Sequence, residues 1–216
     1  MTALPARPGK IVCVGRNYLE HARELGNAVP ERPLLFLKPP SSVVPSGAAI
    51  ELPPERDAAH VDYEGEIGIV IGTPLRRAGE DAAVRAVRGV VALNDVSARD
   101  LQKSEPQWFR AKGYDTFCPI GPEAPAPSDL GALTVVTRVN GEERQRGGAG
   151  EMAFAIPTLL AYISQVVTLE PGDVVATGTP SGVGRLAPGD VVEVEVAGPT
   201  GVLSVVRNPV AAAPAA

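Results

Sequence analysis

Glu64 and Glu66 stand two residues apart at the head of the run YEGEIGIVIG (63–72). In an extended strand, side chains at i and i+2 share a face. The two carboxylates therefore project together, and Gly65, Ile67, Ile69 and Ile71 form an apolar opposite face. Asp95 closes a second apolar run, RGVVALND (88–95), and the end of a buried strand is a common place to build a site. Each acid has an ordinary reading: a solvent-exposed strand end for the pair, and a turn aspartate capping the next helix for Asp95. The alternative is a divalent-cation site. Close carboxylates repel, and a hard cation with oxygen ligands removes that penalty. Three such ligands on Mg²⁺ or Mn²⁺ leave positions for water and substrate. With two histidines and two widely separated cysteines, Cys13 and Cys118, the chain offers no zinc-type ligand set.

Other residues could join such chemistry. His21 and Glu24 are three apart on a short helical stretch, YLEHAREL, so they are neighbours on one face. A carboxylate beside an imidazole fixes its tautomer and raises its basicity, although an exposed pair of this kind also occurs without consequence. Lys38 (FLKPP) and Lys112 (FRAKGYD) are two of only four lysines and interrupt apolar or turn-like settings. If buried, each ammonium needs an anionic partner; otherwise each is a snorkelling surface lysine. The loop TGTPSGVG (177–184) can offer backbone N–H groups and hydroxyls to an anion, or be no more than a turn.

These residues must be held by a fold, and the composition narrows it. The 216 residues are 44% hydrophobic and 21% charged, with a formal net charge of -5. That suits one globular domain and excludes a wholly disordered chain. The mild acidity argues against a nucleic-acid groove. The apolar runs are too short to span a bilayer, and no charged-then-apolar leader opens the sequence, so a cytoplasmic protein with neither membrane nor nucleic-acid partner is expected. Free, buried thiols are expected at both cysteines. Gly (23) and Pro (22) are spread throughout, which favours short strands and many turns. Strands are read at 10–15, 33–40, 63–72, 88–95, 173–178, 190–196 and 201–207. A hairpin turns at Asn140-Gly141 within 133–147. Short helices are read at 79–88 and from Ser97, with Ser97 and Asp100 as a capping box. One longer helix, 156–169, carries the stripe Ile156, Leu159, Leu160, Ile163, Val166 and Val167.

The blocks KIVCVGRNYLEHARELG, PLLFLKPPSSV, DYEGEIGIVIG, NDVSARDLQ, WFRAKGYDTFCPIG and TLEPGDVVATGTPSGVG, in this order, resemble the fumarylacetoacetate hydrolase family. The resemblance is strongest to its small acylpyruvase and oxaloacetate decarboxylase branch. It implies a β-rich α+β fold, a mixed β-roll or sandwich with short peripheral helices like the family's C-terminal domain. It places one catalytic domain at 10–207, after a lead at 1–9 and before a flexible tail at 208–216, and it implies a homodimer. It implies Glu64, Glu66 and Asp95 as ligands of Mg²⁺ or Mn²⁺. His21 and Glu24 become a catalytic pair on a segment that closes over substrate, and Lys112 the active-site lysine. Arg99, Gln102 and Thr179 match substrate-contacting positions, with Arg16 and Lys38 as further candidates. The activity implied is metal-dependent hydrolysis of a C–C bond in a 2,4-dioxo acid of acylpyruvate or fumarylpyruvate type, through a metal-stabilised enolate. The alternatives are oxaloacetate decarboxylation, or keto–enol tautomerisation of the 2-hydroxyhepta-2,4-diene-1,7-dioate isomerase type known from aromatic catabolism. All three pass through an enolate, so one site serves each.

Overall fold

Runs of valine and isoleucine broken every few residues by Gly or Pro favour pleated, half-buried segments over helices. The computed structural model, which describes residues 7–20 and 30–213, bears this out with 16 strands and four short α-helices among the described residues. Eight strands form the largest sheet: β1 (Ile11–Gly15), β2 (Leu34–Lys38), β3 (Val43–Pro45), β6 (Gly65–Ile71), β7 (Val87–Asn94), β9 (Cys118–Ile120), β10 (Ala124–Pro125) and β13 (Val174–Ala176). Their order is β2-β1-β13-β6-β7-β9-β3, with β10 also on β7. The sheet is mixed: β1–β13 and β3–β9 are parallel, and its other pairs are antiparallel. A second sheet of five strands runs β12-β11-β15-β16-β4, built from β4 (Ile50–Glu51), β11 (Thr134–Val139), β12 (Glu142–Gly148), β15 (Val191–Gly198) and β16 (Gly201–Ala211). A small third sheet joins β5 (Val61–Tyr63), β8 (Ser97–Ala98) and β14 (Gly184–Arg185) in the order β14-β5-β8.

The strand period of two decides what lies between the sheets. Ile67, Ile69 and Ile71 of β6 face one core with Val12 and Val14 of β1, Val135 of β11 and Val194 and Val196 of β15. Val70 and Val91 face another core, with Ile11, Cys13, Cys118 and Val174. The large sheet is thus covered on both faces. The helices are peripheral: α1 (Glu80–Ala86), α2 (Arg99–Ser104), α3 (Phe109–Lys112) and α4 (Ile156–Val166). The mixed, β-rich architecture with short outer helices is the one the sequence predicts.

Four local expectations need correction. Ser97 lies in β8 and donates through Oγ to the Asp95 carbonyl at 2.8 Å, while Asp100 accepts from Ala59 N–H at 2.7 Å, so they form no capping box. Helix α4 stops at Val166, with Val166 68% exposed. Its buried stripe is Ile156, Leu159, Leu160 and Ile163; Val166 is the last helical residue and Val167 only caps the end, and both are left exposed. Glu64 falls between β5 and β6 instead of within one strand from 63. The last strand continues to Ala211, where Val210 pairs with Ile50, beyond the position 207 expected as the end of the domain. The hairpin turn forms as read, with Asn140 (φ 53°) and Gly141 (φ 84°) both left-handed, as a two-residue primed turn requires. Both cysteines are free and buried. Among the described residues, no helix is long and apolar enough to cross a membrane.

Candidate active site

Antiparallel pairing explains why three acids from two runs meet. Strand β6 begins where β7 ends, and their register sets Gly65 opposite Asn94 and Glu66 opposite Leu93. The junction is fastened twice: Glu64 N–H donates to Asn94 Oδ1 at 3.0 Å, and Asp95 N–H donates to the Glu64 carbonyl at 2.8 Å. Glu64, Glu66 and Asp95 consequently bring carboxylate oxygens within 4.8 Å of one another. All three are buried. The ordinary readings, an exposed strand end and a helix-capping turn aspartate, are therefore excluded.

The two lysines are buried too, and each has the anionic partner that burial demands. Lys38, at the end of β2, places Nζ 2.6 Å from Asp95 Oδ1 and donates to the Val96 carbonyl at 3.1 Å. Lys112, at the end of α3, places Nζ 2.6 Å from both Glu64 Oε2 and Asp95 Oδ2. Burial pushes the Lys112 pKa down, but the charges of Asp95 and Glu64 more than offset it, so the ammonium is held above its usual range. Arg99, the first residue of α2, donates through Nε to Asp62 Oδ2 at 2.8 Å and through NH1 to Gln102 Oε1 at 2.7 Å, and it pairs with Glu64. Burial opposes its charge as well, and Glu64 and Asp62 outweigh burial, raising its pKa.

Glu66 is held differently. Its Oε2 accepts from Gly178 N–H at 2.7 Å, the backbone donor of the loop after β13. Gly178 is left-handed (φ 105°), and a Cβ there would meet Asn17 Cβ at 2.8 Å, so the loop needs glycine. Burial first, then Asp95 and Glu64, push the Glu66 carboxyl well above the usual range; the Gly178 N–H and Lys112 offset this only in part. A carboxylate so little compensated, beside two others, fits a divalent cation: the donor set is all oxygen and carries enough negative charge for a hard ion. The residues that would hold it are Glu64, Glu66 and Asp95.

The trio lines a cavity of about 880 Å³, whose walls include Arg16, Phe36, Arg99, Gln102, Trp108, Lys112 and Thr179. The sequence-derived substrate positions Arg16, Arg99, Gln102 and Thr179 are thus brought to one space, with Lys38 behind its floor on Asp95. His21 and Glu24 lie outside the described residues. Three supporting residues escape sequence reasoning. Asp62 anchors Arg99 and lies 2.8 Å from His60 Nε2. Asn94 clamps Glu64. Gln145 accepts from Gly65 N–H at 3.0 Å and donates to Thr179 Oγ1 and the Pro180 carbonyl, both at 2.8 Å, tying the β6 start to the 177–184 loop. A signal existed for Gln145, the one uncharged long side chain in EERQR. Its inward side, however, depends on a bulge at Thr137/Arg138 that the sequence does not display.

The chain that builds this site is similar along most of its length to known proteins. The chain is 44% identical over 195 residues to the mitochondrial oxaloacetate tautomerase of Arabidopsis thaliana, covering 88% of this chain and 86% of that protein. It is also 44% identical over 197 residues to the mitochondrial oxaloacetate decarboxylase of Dictyostelium discoideum, covering 88% and 89%. The crystal structure of 2-hydroxyhepta-2,4-diene-1,7-dioate isomerase from Mycobacterium marinum superposes with a TM-score of 0.86 at 40% identity, over 97% of this chain and 77% of that one. Residues 10–211 match the family model described as fumarylacetoacetate (FAA) hydrolase C-terminal, a span that holds the acid trio, both buried lysines and the loop around Gly178, and by this match the chain belongs to the fumarylacetoacetate hydrolase family.

Proposed function

We propose that the chain interconverts the keto and enol forms of a small 2-oxo acid of the oxaloacetate type, with loss of CO₂, which leaves the enolate of the decarboxylated acid at the same site, as a second reaction. The observation that carries this reading is the cavity floor, where three buried carboxylates lie within 4.8 Å and two ammonium groups are already engaged with them. Bound to those carboxylates, Mg²⁺ or Mn²⁺ supplies Lewis-acid stabilisation of negative charge developing on a 2-oxo oxygen.

The chain's own residues do the rest. Lys112, kept cationic by Glu64 and Asp95, serves as a fixed positive charge beside a developing oxyanion and does not act as a base. Arg99 is locked by Asp62 and Gln102, so it forms a rigid wall that orients a substrate carboxylate. Thr179 is held by Gln145 and by its own bond to the Gly65 carbonyl at 2.9 Å, which fixes its place in the cavity wall. Proton transfer at C3 is assigned to His21, oriented by Glu24, on the family resemblance. Removing that proton turns the C3–H electron pair into the C2–C3 double bond, and the 2-oxo oxygen takes a proton to complete the enol. Decarboxylation breaks C3–C4 instead: CO₂ leaves, the bond's electron pair becomes the C2–C3 double bond of a shorter enolate that has lost C4, and C3 then takes a proton. Neither reaction needs an attacking water, whereas splitting an acylpyruvate does. The names of the two 44%-identical relatives favour enol chemistry over the acylpyruvate hydrolysis that the sequence blocks put first. A homodimer is the assembly proposed with this reading, on the family resemblance.

The test is a rate panel on protein treated with EDTA and then reloaded with Mg²⁺ or Mn²⁺. Ultraviolet absorbance follows enol decay of oxaloacetate, CO₂ release follows decarboxylation, and loss of the 2,4-dioxo chromophore follows acylpyruvate hydrolysis. Metal-dependent tautomerisation with the highest kcat/KM is expected. Faster acylpyruvate hydrolysis, or full tautomerisation without metal, overturns the reading.

A further inference from the structure

We infer that the mouth of the cavity recognises a second anionic group, so that the site selects dicarboxylic over monocarboxylic 2-oxo acids, with Lys103 and Arg185 making the selection. The inference rests on the enol-chemistry reading for which end of the substrate meets the floor.

The acids lining the cavity include three already paired with cations: Asp62 with Arg99, Glu64 with Arg99 and Lys112, and Asp95 with Lys38 and Lys112. Three further cations, Arg16, Lys103 and Arg185, line the same cavity, and none forms an ion pair with a described residue. They arrive from separate elements: Arg16 follows β1, Lys103 lies in α2, and Arg185 ends β14. Arg185 is steadied by one bond, NH2 to the Ala59 carbonyl at 2.8 Å, which leaves most of its five N–H donors for another partner. Lys103 and Arg185 are exposed, as residues at a mouth are. Polarity in the cavity is therefore segregated, with three buried carboxylates at its floor and, around the opening, positive charge that has no ion-pair partner among the described residues. Such an opening concentrates anions. A distal carboxylate gains charge-assisted hydrogen bonds there, and a neutral acyl tail gains none.

Binding is measured by calorimetry on the Mn²⁺-loaded protein with two probes: pyruvate, which has one carboxylate, and 3,3-difluoro-oxaloacetate, which has two and cannot enolise. The difluoro compound should bind at least about tenfold more tightly than pyruvate, and 0.5 M NaCl should narrow the gap. In the double variant Lys103→Gln/Arg185→Gln the gap should close by about tenfold, with pyruvate affinity within about twofold of the original. Arg185→Lys with Lys103 intact should retain most of the preference. Equal affinities in the unaltered protein, or an equal loss for both probes in the double variant, overturn the inference. If the dicarboxylate is preferred but oxaloacetate is not turned over, the functional reading fails and the inference stands.

Discussion

Replacing Lys112 by methionine keeps an unbranched side chain one atom shorter and removes its charge. In the structure Nζ sits 2.6 Å from two carboxylate oxygens, Glu64 Oε2 and Asp95 Oδ2. At an effective dielectric constant near 20, each pair is a gross attraction of about 6 kcal/mol. The cost of burying the ammonium cancels much of this. Removing one partner of a buried pair nevertheless costs about 3–5 kcal/mol, because uncompensated charge is left behind. Lys38 still holds Asp95 and Arg99 still holds Glu64, which places the loss toward the lower end. For a chain of this size that is a fall in Tm of roughly 6–20 °C in EDTA. The same two oxygens belong to the trio that would hold the cation, so the lysine competes with the metal. Lys112→Met should therefore bind Mn²⁺ more tightly than the unaltered protein, and metal at 100 times its Kd should restore about 2.7 kcal/mol. Turnover should stay low, since the fixed charge beside the oxyanion is gone. Thermal melts with and without metal, together with Mn²⁺ calorimetry, measure all of this. A variant as stable as the original in EDTA, with unchanged metal affinity, would refute the reasoning.

Asp95→Asn keeps the shape and removes a ligand charge; Mn²⁺ affinity by calorimetry should fall by more than the roughly 10–100-fold that outer-shell changes cost, and an unchanged Kd counts against the trio as the metal site. Gly182→Ala should destabilise by about 2–4 kcal/mol in denaturant melts, because its Cβ would meet the Arg144 carbonyl at 2.1 Å at φ 95°. Gly189→Ala, at φ 94° with nothing within 4 Å, should cost about 1–2 kcal/mol, and equal losses would show that the contact is unimportant. Burial, with Asp95 and Glu66 nearby, pushes the Cys118 thiol up to about 12, so at pH 8 roughly one in 10⁴ is thiolate. Cys13 is raised by the same causes. Ellman's reagent should therefore label neither cysteine until denaturant is added, and rapid labelling of the native chain contradicts this.

The sequence by itself determined the strands, the peripheral helices and the three acids as candidates. Each of these depends on local period or local chemistry. Alternation in EGEIGIVIG pointed to a shared side for Glu64 and Glu66, although Glu64 falls just ahead of β6, and Asn140-Gly141 made its turn from two residues. It could not tell an exposed pair of acids from a buried one, because burial belongs to whatever covers a face. Val70, on the same side of β6 as Glu66, is covered by β1, β7 and β13 neighbours from distant parts of the chain. Only the tertiary structure brought Asp95 against Glu64, through antiparallel pairing of β6 with β7, and set Lys38 and Lys112 on their oxygens from two further elements. Asp62, Asn94 and Gln145 stayed illegible for the same reason. Each is an ordinary polar residue in its own segment, and its role is a hydrogen bond to a residue 30 to 80 positions away. The charge inventory of the cavity mouth is the extreme case, since Arg16, Lys103 and Arg185 share nothing in sequence and meet only where the turn after β1, helix α2 and strand β14 converge.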